Sequence, residues 1–342
     1  MPKKFFLTVL VCSLLLFSLS GCSLKYKDLF KKETPVANLP PDALFVDGPD
    51  IYDHTIKLIN SAQKAIYVEQ FEFDDPRLIQ LLTAKARAGL DVRILLDQFR
   101  KVNRTTLELL KSQDISIQYY PARKGQSNRV KILSVDYNKA IVYGPTWNKN
   151  DWGAHDLAVQ LDGKAAWWVA TVFARDWEFT TTLALPVPKS TTASEDYIIP
   201  ATNANVKQQI IGQISRATKD IWIEVSELSD QDTIRALTDA TAKGIEIHLI
   251  LTPSAAKNTP VSVDKLKAAG VEIRYFQDNS GRTTNMNFAI FDGKTFILTS
   301  SPWTNYMFVN DHEFSLTVPS PKATAKLVTL FQADWVAAAV TP

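Results

Sequence analysis

The chain has 342 residues, room for one large domain or two of ordinary size. Hydrophobic residues make up 46%, which excludes a largely disordered chain, and only residues 1–22 hold a long apolar run, which excludes several membrane spans. Lys+Arg number 38 against 36 Asp+Glu. Without Lys3 and Lys4 the two signs balance, so bulk charge offers no grip on nucleic acid, which is not expected as a partner.

Lys3 and Lys4 open the chain, and the next charge is Lys25. The apolar stretch between Phe5 and Leu19 is short for a permanent span of about 20 residues. It ends in Leu19-Ser20-Gly21-Cys22, which resembles the lipobox of bacterial lipoproteins. The resemblance implies a signal peptide over 1–21, a diacylglycerol anchor on Cys22, and a body held outside the cytoplasm on a bacterial membrane. A plain secretory signal or an uncleaved anchor helix is the alternative. The only other cysteine, Cys12, falls in the segment to be removed, so the mature chain has neither a disulfide nor a Cys ligand for metal. Residues 22–41 read as the lipidated tether. Its Lys25, Lys27, Lys31 and Lys32 suit an anionic lipid surface or plain solvation equally, and Pro35 to Pro41 stiffen its end.

The body repeats itself. A helical pattern from Asp50 to Ala62 leads to a buried strand, Ala65–Glu69; a second, from Asn205 to Ala217, leads to Asp220–Glu224. Gly89 and Gly244 each stand where a helix end needs a left-handed residue before the next strand. Further matches run to Asp176-Trp177 and Asp334-Trp335. An offset that drifts slowly from 155 to 158 residues indicates duplication with small insertions. The predicted units are 42–180 and 203–342, joined by a Pro/Thr/Ser-rich connector, 181–202. Alternating helices and apolar strands predict an α/β fold, with any site at the seam of the two halves.

At matching positions stand Arg129-Val130-Lys131 followed by Asp136, and Asn285-Met286-Asn287 followed by Asp292. Here the chain resembles the phospholipase D superfamily, whose motif is H-x-K-x4-D followed by a strand and G-S-x-N. The likeness covers roughly Pro41 to Trp335. It implies the duplicated phospholipase D-like fold, two α/β sandwich halves related by a pseudo-twofold axis. It also implies phosphodiester chemistry in which one His attacks phosphorus, the other protonates the leaving alcohol, and no cofactor or metal takes part. The G-S-x-N element survives as Gly144 and Asn148 in one half and Ser300 in the other, and Asp156 and Glu313 match the family's downstream acids.

Both His positions are replaced, by Arg129 and Asn285, and the second Lys by Asn287. Arg stays protonated and an amide has negligible basicity, so neither can act as nucleophile or general base near neutral pH. Binding is different. Arg129 and Lys131, two apart on a predicted strand, face one side and form a phosphate clamp, with Asn285 and Asn287 as neutral donors opposite. The alternative role for Arg129 is to neutralise Asp136, Asp292, Asp156 or Glu313.

Four histidines remain. His54 and His248 have no acidic partner at a telling spacing. His155 and His312 precede the downstream acids, and strand alternation is expected to turn them away from the site while Asp156 and Glu313 face it. Trp147, Trp152, Trp303 and Tyr306 follow the motif strands, where they line an entrance, touch lipid headgroups or pack beneath the loops. Trp167, Trp168, Trp177 and Trp335 fall on helical patterns and read as core. Three functions fit: a membrane-anchored protein that binds a phospholipid headgroup or other phosphodiester, an active phosphodiesterase or phosphatidyl transferase with another nucleophile, or a docking protein with no ligand.

Overall fold

The computed structural model describes residues 36–189, 197–278 and 280–342, so the signal segment, Cys22 and most of the tether lie outside the described residues. The first half runs β1 (Leu44–Val46), α1 (Gly48–Ser61), β2 (Ala65–Gln70), α2 (Pro76–Arg87), β3 (Asp91–Asp97), α3 (Val102–Lys111), β4 (Ser116–Tyr120), β5 (Ile132–Val135), β6 (Lys139–Tyr143), β7 (Leu157–Asp162) and α4 (Gly163–Thr181). The second runs β8 (Ile199–Thr202), α5 (Ala204–Arg216), β9 (Asp220–Val225), α6 (Gln231–Thr241), β10 (Glu246–Leu251), α7 (Pro253–Asn258), α8 (Pro260–Ala268), β11 (Glu272–Tyr275), β12 (Asn287–Phe291), β13 (Thr295–Thr299), α9 (Asn305–Asn310), β14 (Phe314–Val318) and α10 (Pro321–Ala337).

Each half builds one seven-stranded mixed sheet of the same topology. The orders are β1-β7-β6-β5-β2-β3-β4 and β8-β14-β13-β12-β9-β10-β11. The expected α/β duplication is therefore present. Local chemistry repeats with it. Asp75 and Asp230 cap α2 and α6, accepting from Leu78 N and Thr233 N at 2.9 Å. Gly89 and Gly244 take φ of 90° and 85°, the left-handed helix ends read from sequence. Two buried clusters lie on the helix-covered faces of the sheets. A third joins both halves: Tyr67, Val130, Ile132 and Phe173 of the first with Ile250, Met286, Phe288 and Phe331 of the second.

One boundary moves. Ile199–Thr202, assigned to the connector on sequence, pairs with β14 as the edge strand β8 and is the counterpart of β1 on β7. Its Pro200 offers no N–H, which suits an edge and hides the strand in a Pro-rich stretch. Trp147 and Trp303 are fully buried, so they belong to the core rather than to an entrance or a lipid contact. Trp168 is an exposed residue on α4 rather than core. Among the described residues no helix is long and apolar enough to cross a membrane.

Candidate functional site at the seam

The motif segment of each half is hydrogen-bonded to the other half. Arg129 N donates to His312 O and His312 N donates to Ser127 O, both at 2.8 Å. In mirror fashion His155 N donates to Thr283 O at 2.8 Å and Asn285 N to His155 O at 3.1 Å. These crossed pairings place Arg129, Asn285 and the residues after them at the seam. Arg129 and Lys131 lie just ahead of β5 rather than on a strand as predicted; Val130 between them enters the shared core, and both cations act on Glu313.

Arg129 keeps 24% of its side chain exposed and pairs through Nε with Asp311 Oδ2 at 3.1 Å, the Asp311 side chain being fully buried. Its guanidinium carbon lies 4.2 Å from the centre of the Phe71 ring. Its direct ion-pair partner is thus Asp311, which was not named from sequence, while of the four acids that were, Glu313 also has its charged form favoured by Arg129. Lys131 is buried and donates from Nζ to Gly144 O. Burial pushes its pKa down; Asp156, Asp151 and Glu313 oppose that.

Two carboxyls face these cations. Burial pushes Asp156 up to about 7, against the pull of Lys131, and its Oδ1 accepts from Leu157 N at 2.8 Å. Burial likewise pushes Glu313 up to about 7, while Ser301 and Arg129 favour its charged form. Asp156 Oδ2 and Glu313 Oε1 are buried without a hydrogen-bond partner among the described residues. Gly144 is required beside Asp156: a Cβ there would stand 1.8 Å from Asp156 Oδ1 and 2.8 Å from Leu157 O.

The other residues named from sequence divide. Asn287 is buried and donates from Nδ2 to Asn285 O at 2.8 Å. Ser300 Oγ donates to Glu313 at 3.4 Å, and Asn148 Nδ2 donates to Glu72 at 2.8 Å. Asp136 and Asp292 are not brought to the seam. They sit at the far ends of β5 and β12 and accept from successive backbone amides, Gln63 to Ala65 and Thr218 to Asp220. Both are turn staples in left-handed conformation, at φ of 52° and 54°.

His155 and His312 turn away from Lys131, as expected, and each enters an acid cluster completed by the other half. His155 Nδ1 donates to Asp47 at 2.5 Å and Nε2 donates to Asp334 at 3.1 Å. Burial works against its charge, but hydrogen bonds and charge from Asp334, with Glu224 and Asp47, hold the pKa up to about 9. His54 stacks on Phe45 and His248 lies 3.6 Å from Glu272, away from the seam. No imidazole therefore stands beside Arg129 and Lys131.

The family model described as "Cardiolipin synthase, PLD-like domain" matches residues 55–177 and 210–335, one copy in each half. The chain belongs to the phospholipase D-like family. A cardiolipin synthase of Clostridium perfringens is 24% identical over 284 residues, covering 69% of this chain and 58% of that protein. A probable cardiolipin synthase of Bacillus subtilis is 23% identical over 241 residues, covering 60% of this chain and 47% of that one. The chain thus spans about half the length of these relatives. The solved phosphatidylserine synthase of Haemophilus influenzae aligns with a TM-score of 0.69 at 14% identity, over 89% of this phospholipase D-like chain and 88% of that one, which establishes the shared fold.

Proposed function

We propose that this phospholipase D-like protein binds the phosphodiester of a phospholipid headgroup at the seam without turning it over. Family membership points to phospholipid chemistry. The observation that carries the reading is the pairing of a partly exposed Arg129 with a buried Lys131 at the family's phosphate position, where no imidazole is present. Arg129 supplies a planar donor fork and Asn285 a neutral amide across the seam. Lys131 and Asn287, already engaged by Gly144 O and Asn285 O, support the site from below.

Titration of the purified full-length chain with monomeric short-chain phosphatidylglycerol tests this. Saturable binding is expected, weakened about tenfold or more by Arg129→Ala, because a charge-assisted hydrogen bond is worth about 1.5–3 kcal/mol. Equal binding by wild type and variant would sink the clamp.

A second reading has its own observation. Asp156 and Glu313 each carry a carboxyl near neutral pKa with an unpartnered oxygen, a condition that suits general acid–base or carboxylate nucleophile chemistry. An Asp156-dependent turnover would favour it.

We also propose acylation of Cys22 and display of the body outside the cytoplasm, on the lipobox alone. Cys22→Ser is expected to release the protein from the membrane fraction and to remove the diacylglycerol mass from the N-terminal peptide. An unchanged mass would remove the anchor from the account.

A further inference from the structure

Two histidine–carboxylate clusters tie the halves together, and the pseudo-twofold axis relates them: His155 with Glu224 and Asp334, His312 with Glu69 and Asp176. Each takes its His from one half, and an acid from the central strand (β9 or β2) and another from the last helix (α10 or α4) of the other half. Each imidazole stacks on an aromatic ring, Phe276 at 5.4 Å or Tyr120 at 4.4 Å. Each Nδ1 meets the residue just ahead of α1 or α5, Asp47 or Asn203, both at positive φ.

The two differ in how their hydrogen bonds close. His155 donates from both nitrogens to carboxylates. His312 Nδ1 meets an amide instead. Asn203 Oδ1 lies 2.7 Å from it and also accepts from Glu313 N at 3.3 Å. An oxygen acceptor places the proton on Nδ1 and leaves the Nε2 lone pair aimed at the acids. Nε2 lies 3.0 Å from Asp176 Oδ2 and 4.0 Å from Glu69 Oε1, yet neither contact has hydrogen-bond geometry. His312 Nε2, Asp176 Oδ2 and Glu69 Oε2 are all buried without a hydrogen-bond partner among the described residues. Glu69 is completely buried and His312 is 7% exposed. Burial and the neighbouring Asp176 push the Glu69 carboxyl well above its ordinary range, so these groups face one another at a cost unless a proton or a cation joins them.

We propose that His312, Glu69 and Asp176 form a binding site for a divalent first-row cation of the Zn2+ or Mn2+ kind. One ligand atom from each residue lies within 4.8 Å of the others, a span one cation bridges. One imidazole with two carboxylates suits these borderline ions better than a thiolate-seeking one. Asn203 fixes the tautomer from behind, the usual outer support of a ligating His. A cavity of about 350 Å³, lined by Tyr120, Arg123, Phe179, Asn310 and His312, opens beside the cluster and provides an entry and a place for solvent as a further ligand. A bound cation would pin His312 of one half to β2 and α4 of the other.

The test is titration of the full-length, chelator-stripped chain with Zn2+ by calorimetry and with Mn2+ by spin resonance. Saturation at one equivalent is expected, with nitrogen modulation from one imidazole in the Mn2+ spectrum and a higher unfolding temperature with Zn2+. The near-isosteric Glu69→Gln and Asp176→Asn should each weaken binding at least about tenfold, and Glu224→Gln should leave it unchanged. No saturable binding, a Mn2+ spectrum without imidazole nitrogen, or sensitivity to Glu224→Gln in place of Glu69→Gln would each overturn the site.

Discussion

Lys131→Met is expected to cost about 3–5 kcal/mol of stability at pH 8 and far less at pH 5.5. Lys131 is the cation that favours the ionised form of Asp156, a carboxyl that burial pushes up to about 7. At pH 8 that group is charged, and methionine leaves it in the seam without its main counter-ion, the weaker pull of His155 remaining. At pH 5.5 it carries its proton, and the change replaces a buried ammonium by an apolar side chain of similar volume. Urea midpoints at the two pH values check this. A cost equal at both would show that Lys131 packs the seam without holding the charge of Asp156.

The second large effect is a loss of stability between about pH 6.5 and 9. His155 in the folded chain holds its proton up to about 9, whereas an unperturbed imidazole releases it near 6.5. A pKa raised on folding stabilises fully below the lower value and loses its effect as pH rises through the higher one, here about 3 kcal/mol. The groups facing the imidazole are Asp47, Asp334 and Glu224, with Arg282 on the far side of Asp47 at 2.8 Å. Burial and Asp334 push Glu224 up to about 8, so it too keeps a proton that the unfolded chain gives up, and its sign is the same. Unfolding midpoints at pH 6.5 and 9.5 should fall in wild type and change much less in the double variant His155→Gln/Glu224→Gln. Parallel loss in both would place the pH dependence elsewhere.

Local pattern made the duplication legible before any coordinates. Gly89 and Gly244, the buried strands after α1 and α5, and the paired motif segments all rest on neighbours in sequence. The same pattern misled at Asp136 and Asp292. They keep the motif's spacing but serve as amide acceptors at turns. Alternation did orient His155 and Asp156 oppositely, because a strand's two faces follow from geometry alone. Their partners were not legible. Asp311 meets Arg129, and Glu69 and Asp176 meet His312, only because the motif segment of one half lies against the other, and no spacing within one repeat encodes that contact.

The central claim is that the seam retains a phosphodiester grip without the family's turnover. Its most direct test is release of headgroup from phosphatidylglycerol and cardiolipin in mixed micelles by the full-length chain, beside Arg129→Ala and Asp156→Asn. The account predicts no turnover above either variant. Turnover that disappears in Asp156→Asn would contradict it and make the carboxyl the missing reactive group.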